Sequence, residues 1–351
     1  MKATMRDIAE KLGISINAVS LALNNKSGVS DEMRMKILRT ADAMGYLRKK
    51  EKYAHTFSSS NLCVMMQRIY STDMNFYGKV LCALTEEAQK NSFDTLMSFF
   101  DDKTFAVPGA VEEHRVSGVI IIGKISDQNI ERLREYNLPL VLVDHASLIN
   151  QVDSILTDNK LGGFVATNYL AERGFSKIGY FGDLDYSLSI KERFFGFQEA
   201  IKRSGLANDA GLWEYVGRYS ITRDIESWIL KNDNSGIISH IQAAEQLPEA
   251  FVCSNDKAAI ALLMSLQSLG YRVPEDISII GFDNIDICRK VNPKITTIKV
   301  DKEAMGRRAV ERLRYRLSHR DAPPENTVLS VELIERQSVR KNNPHTEEEI
   351  L

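Results

Sequence analysis

From Leu62 onward the chain alternates short apolar runs with amphipathic stretches of ten or more residues. That alternation restricts the fold more than any other feature. The runs are 62–66, 95–99, 118–122, 140–143, 177–182, 250–254 and 277–282, and helical periodicity lies near 76–91, 127–136, 160–173, 189–204, 255–269 and 302–317. Short strands apolar on both faces and separated by helices form parallel sheets covered on both sides. A chain of 351 residues is too long for one ordinary core, so the pattern predicts an α/β protein with two parallel sheets and hence two subdomains.

The first forty-six residues have another texture. Ile8, Ala9 and Leu12 recur at helical spacing until Gly13 breaks the helix. Ser15 can cap a second helix that turns Val19 and Leu23 inward and Ile16, Asn17 and Ser20 outward. Ser30 and Asp31 open a third, with Ile37, Leu38, Ala41 and Met44 as its buried stripe. Two short helices joined by a tight turn form a helix-turn-helix, whose second helix fits a DNA major groove. Residues 1–60 carry 11 Lys and Arg against 6 Asp and Glu, in a chain whose net charge is −2. A basic head on an acidic body confines nucleic-acid contact to one end.

Several chemistries find no support. Cys63, Cys82, Cys253 and Cys288 are far apart, and three lie in or beside apolar runs, which predicts reduced thiols rather than disulfides or zinc. The six histidines form no H-E-x-x-H pair, and no G-x-S-x-G elbow is present. Gly118 to Lys124 has P-loop spacing, but Ile125 stands where a magnesium-binding Ser or Thr is required. The expectation is a protein that is not an enzyme and takes no cofactor or metal. No apolar run approaches a membrane span and no secretory h-region opens the chain, which predicts a cytoplasmic location without membrane contact.

The motifs Asp7-Ile-Ala, Gly13-Ile-Ser, Ala18-Val-Ser, Leu23-Asn, Gly28-Val-Ser and Gly45-Tyr46 resemble the head of the LacI/GalR family of bacterial repressors. At the far end, Cys253-Ser-Asn-Asp-Lys-Ala-Ala, Leu269 through Asp283-Asn, Thr296-Thr-Ile and Met305-Gly-Arg-Arg-Ala are similar to that family's effector module. In the middle, Asp158 through Phe175 and Arg193-Phe-Phe-Gly-Phe fit as well, so the likeness covers roughly residues 4–339. It implies a helix-turn-helix headpiece over 1–47, a hinge over 48–61, a periplasmic-binding-protein-like core of two doubly wound parallel-sheet subdomains over 62–340 and a tail over 341–351. Subdomain one would take 62–159 and 293–322, and subdomain two 160–292 and 323–340. A ligand cleft would lie between them at the carboxyl ends of the strands.

The resemblance also assigns roles. Ile16, Asn17 and Leu21 would face base edges, with Asn17 paired to adenine and the two apolar residues against thymine methyls. Leu21 stands where better-known members carry Arg, and a core role for it stays open. Thr4, Ser15, Ser20, Asn24 and Ser30 would contact phosphates, capping being compatible with that role for Ser15 and Ser30. Relatives carry a Pro-containing hinge whose Leu wedges into the minor groove. Here Leu-Arg-Lys-Lys follows Tyr46, and the spacing leaves open whether Phe57 is the wedge or the segment is a basic tether. The positions that grip the effector map to Asp158, Arg193, Asn255 and Asp283, with Phe76 and Tyr219 as aromatic candidates. One of Asn255 and Asp256 would cap the following helix while the other meets ligand.

The expected protein is a repressor of a carbohydrate uptake or utilisation operon. It would bind a near-palindromic double-stranded operator as a homodimer and respond to a sugar or sugar phosphate. Control by a protein partner is the alternative within the family. A solute-binding protein shares the core fold but has no use for the head. The tail lacks the leucine heptads of a coiled-coil tetramer device.

Overall fold

The computed structural model describes residues 4–23, 28–44, 46, 61–231 and 233–341. The head consists of α1 (Met5–Leu12), α2 (Ile16–Leu23) and α3 (Asp31–Ala43). Thr4 and Asp7 form a reciprocal cap on α1: Thr4 Oγ1 accepts from the Asp7 amide at 3.3 Å, and Asp7 accepts from the Thr4 amide at 2.7 Å. Gly13 then stops α1 at φ 65°, the left-handed conformation that glycine adopts without a Cβ penalty. Ser15 Oγ accepts from the Ala18 amide at 3.1 Å and Ser30 Oγ from the Met33 amide at 3.3 Å, opening the next two helices. Ile8, Val19, Leu23 and Ile37 are fully buried and give the head its own small core. Arg34 Nη1, at 3.4 Å from the carbonyls of both Leu21 and Ala22, covers the end of α2, where backbone acceptors have no intrahelical partner.

The core begins with β1 (Asn61–Gln67), α4 (Tyr77–Lys90), β2 (Asp94–Phe100), the short α5 (Gly109–Glu112), β3 (Gly118–Ile122), α6 (Asp127–Arg134), β4 (Leu140–Val143) and β5 (Asp153–Thr157). It continues with α7 (Asn159–Ala171), β6 (Ile178–Phe181), α8 (Leu188–Arg203), α9 (Leu212–Tyr219), α10 (Ile225–Leu230), α11 (Ser235–Ala243), β7 (Ala250–Cys253), α12 (Asp256–Ser268) and β8 (Ser278–Asp283). The last elements are β9 (Thr296–Lys299), α13 (Lys302–Ser318), β10 (Asn326–Leu329) and β11 (Glu332–Ile334). One sheet has the order β10-β5-β4-β3-β1-β2 with all neighbours parallel. The other runs β11-β9-β8-β7-β6, with only β11 antiparallel.

Strand pairing corrects two expected boundaries. Thr296 sits beside Ile280, so β9 belongs to the second subdomain, whereas 293–322 was expected in the first. Asn326 sits beside Ser154, so β10 belongs to the first, whereas 323–340 was expected in the second. The chain therefore crosses between sheets after β5, after β9 and after β10. Pro293 lies in the loop before the buried Thr296-Thr-Ile run. Between these strands α13 lies on the first sheet, packed on α4.

β5 escapes the pattern search because its first residues are polar. Asp153 is 2% exposed and accepts from Arg312 Nε at 2.8 Å, Arg316 Nε at 2.8 Å and the Glu325 amide at 2.9 Å. Burial raises its pKa, but those donors outweigh burial and hold the carboxyl below its usual range. The buried charge is tied to α13 and to the entry of β10 at once.

Candidate functional site

The head offers a polar and apolar face on α2. Ile16 is 48% exposed and Asn17 beside it is exposed, while Val19 and Leu23 fill the core. Leu21 is half-buried, its Cδ1 close over Gly28, so it serves the packing while keeping part of its surface outside. Ser20 is half-buried, and Thr4, Ser15 and Ser30 are exposed caps whose hydroxyls already accept backbone amides. Asn24 and Phe57 lie outside the described residues.

The second constellation forms where the carboxyl ends of the two parallel sheets face each other. Arg193, on α8, is buried and its planar fork reaches three acceptors. Nε donates to Asn159 Oδ1 at 3.0 Å, Nη1 to the Ser254 carbonyl at 2.6 Å, and Nη2 lies 3.2 Å from Asp283 Oδ1. Its guanidinium stacks 3.7 Å above the Phe282 ring. Asp283 ends β8 at φ 103° and Asn284 follows at φ 52°. Two successive non-glycine residues in the left-handed half of the map are strained, and such strain persists where the surroundings fix a functional side chain. Burial raises the Asp283 pKa, with Arg193 and Lys302 pulling it back.

The first subdomain supplies an aromatic wall. Tyr77 lies 4.6 Å from Tyr70 and 4.9 Å from Phe76, ring centre to ring centre. Its hydroxyl donates to Asp144 Oδ2 at 3.0 Å, just past β4. Burial pushes Asp144 up to about 6, against the opposing pull of Arg193. Lys302, at the second crossing, donates to the carbonyls of Asp283 and Val300 and sits 5.7 Å from the Phe76 ring. At the mouth, Lys257 bridges to Asp73 at 2.7 Å and Lys79 to Asp286 at 2.9 Å, each pair joining one subdomain to the other. Both pairs are partly exposed, so each contributes little stability.

Of the expected effector residues, Arg193, Asp283 and Phe76 come together. Asp158 and Asn255 stand at the rim as helix caps, accepting from the Leu161 amide at 3.0 Å and the Ala258 amide at 2.9 Å. Asn159, the neighbour of Asp158, is the residue that touches Arg193. Tyr219 is not brought to this cluster. Its ring packs on Tyr215, whose hydroxyl bonds the Ser176 carbonyl and the Ile178 amide at the opposite, amino end of β6. That is a correction: this helix-end aromatic is drawn into the packing of α9 on β6 instead of the cleft. Glu226 was not anticipated. It is buried, and its Oε1 accepts from Ser254 Oγ at 3.2 Å and Asn255 Nδ2 at 2.9 Å. No sequence pattern marks it, because it lies in a one-and-a-half-turn helix without clear periodicity.

Asp256 turns away from the ligand side. It is fully buried, accepting from the Ile285 amide at 2.8 Å and Thr297 Oγ1 at 2.6 Å, and fixes the strained Asp283–Ile285 turn from behind. Burial pushes it up to about 7, with Asp283 adding to the rise. A carboxyl raised above its unfolded value of 3.8 stabilises fully below that value and loses the contribution as pH rises towards 7. The Asp256→Asn variant lacks this dependence. Its stability relative to the parent should rise between pH 4.5 and 7.5, as urea unfolding at the two pH values would measure. A constant difference would place Asp256 in water.

Residues 4–49 match the family model described as bacterial regulatory proteins, lacI family, and residues 167–339 match a periplasmic binding protein-like domain. The HTH-type transcriptional repressor PurR of Mannheimia succiniciproducens is 27% identical over 97% of this chain and 99% of its own. A LacI family regulator from Enterococcus faecium with bound ribose superposes with a TM-score of 0.67 at 22% identity, over 80% of this chain and 99% of that one. The lac repressor dimer bound to operator and the anti-inducer ONPF gives 0.64 at 22% identity, over 96% and 99%. Among the described residues no helix is long and apolar enough to cross a membrane. With a DNA-reading head, two parallel sheets and a cleft between their carboxyl ends, matched by both domain models in this order, the chain belongs to the lacI family of bacterial regulatory proteins and is a transcriptional regulator.

Proposed function

We propose that this regulator is a cytoplasmic repressor of a carbohydrate uptake or utilisation operon, released or engaged by a sugar-like effector bound between the subdomains. The observation that carries the reading is the floor of the cleft, where Arg193 and Asp283 are held side by side beneath Phe76 and Lys302. A sugar hydroxyl both donates and accepts, so a diol can address the guanidinium and the carboxylate together, and an aromatic face suits the apolar side of the ring. A ribose complex of a regulator with this fold supports the class. Effector binding would change the angle between lobes already linked by the Asp73–Lys257 and Lys79–Asp286 pairs, and so the spacing of two heads in a homodimer. The exposed Met264 on α12 and Ile287 in the turn after β8 support a self-association surface on the second subdomain.

The test is operator binding by the full chain to its own upstream DNA, with neutral sugars, amino sugars, sugar phosphates and free nucleobases added singly. One compound that shifts affinity fixes both effector and direction. If none does, small-molecule control fails and a protein partner takes its place. On the DNA side, Asn17→Ala should weaken operator binding by about 1–3 kcal/mol, the value of one bidentate base contact. It should leave weak binding to unrelated DNA unchanged, as competition titrations would show.

A further inference from the structure

The second subdomain's side of the cleft holds more acceptors than donors. Glu226 is 6% exposed, and its two hydrogen-bond donors, Ser254 Oγ and Asn255 Nδ2, both go to Oε1. Asp283 Oδ1 is buried without a hydrogen-bond partner, although Arg193 Nη2 lies 3.2 Å away. Asp144, opposite, has one oxygen taken by Tyr77. Glu226 is buried and Asp144 and Asp283 are half-buried, so three carboxyls share the field of the Arg193 guanidinium, with Lys302 acting on Asp283 as well, while the Lys257 ammonium at the mouth is engaged with Asp73. An unpaired acceptor in a buried site is costly until a donor arrives, and a second anion there adds like-charge repulsion.

We propose that Glu226 is a specificity-determining residue of this cleft, selecting an effector that donates hydrogen bonds and carries no negative charge, and rejecting phosphorylated or carboxylated ligands. The inference rests on the effector-cleft reading and narrows it to a neutral polyol or an amino sugar. Glu226 Oε2 and Asp283 Oδ1 accept from the ligand's hydroxyl or ammonium groups, while Arg193 donates to a ligand oxygen. The exclusion comes from charge rather than from shape, so it can be lifted without reshaping the pocket.

Inorganic phosphate is the probe, titrated at constant ionic strength against the full chain while Tm is followed. The parent protein should show no phosphate-specific rise in Tm. Glu226→Gln keeps an acceptor for Ser254 and Asn255 but removes the charge, and should bind phosphate at least about tenfold more tightly. Adding Arg193→Met should abolish that gain. The proposal is overturned if phosphate stabilises the parent protein through Arg193, or if Glu226→Gln binds phosphate no better. The parent's own titration decides even if the variant folds poorly. Failure of the underlying effector reading shows separately, as an operator affinity that no compound of any charge shifts. Within that series, a sugar phosphate acting more strongly than its unphosphorylated parent also overturns the assignment of Glu226.

Discussion

The Arg193→Ala variant should lose about 3–5 kcal/mol of stability, the range seen when one partner of a buried charge pair is removed. The loss comes from what stays behind: Asp283 without its guanidinium, the Ser254 carbonyl and Asn159 without their donor, and the Phe282 face uncovered. Arg193→Lys should recover little, since one ammonium cannot reach three acceptors in different directions. Any effector response should vanish in both variants. Operator binding without effector should stay at the parent's level, because the head folds around its own core of Ile8, Val19, Leu23 and Ile37. Urea unfolding gives the first quantity and operator titration the second. A loss below about 1 kcal/mol would mean the guanidinium is solvated in solution, with no closed site around it.

Gly196→Ala should be nearly as damaging although it adds one methyl group. α7 and α8 cross at two glycines, where a Cβ on Gly196 would overlap the Lys160 carbonyl and a Cβ on Gly163 the Arg193 carbonyl. The obstacle is backbone on both sides, so no side chain can swing away and the helices must part. Overpacking of this kind costs about 1–3 kcal/mol and more where nothing yields. Because Arg193 rides on α8, effector response should weaken with stability. Gly217, in α9, is the control: a Cβ there meets nothing within 4 Å, and Gly217→Ala should gain about 0.4–1 kcal/mol. Equal effects at the two sites would contradict the close crossing.

The parts of the fold that could be read in advance are those where burial and apolarity coincide. β3, with Gly118-Val-Ile-Ile-Ile fully buried, declares itself, as do the other central strands. β5 does not, because Asp153 and Ser154 are buried polar residues whose donors come from α13, far along the chain. β10 is an edge strand with alternate residues exposed, and its pairing with β5 rather than β9 is a matter of topology that local pattern does not encode. In the site, Arg193 and Asp283 stood out by motif and do meet. Asp158 and Asn255 stood out by the same motifs and cap their helices; Asn159, next to Asp158, bonds Arg193, and Asn255 also bonds Glu226. Whether a polar side chain at a helix start turns to its own backbone or to the cleft depends on what lies across from it. That information is absent from the flanking residues.

The coupling between cleft and head is the central claim, and thermodynamic linkage tests it directly. For the compound that shifts operator affinity, its own affinity would be measured by calorimetry for the full chain alone and for the chain saturated with operator DNA. The two ligand affinities should differ by the factor by which the compound changes operator affinity, since coupling between sites is reciprocal. Equal ligand affinity with and without operator would contradict the account, for the cleft would then be a binding site with no connection to the DNA.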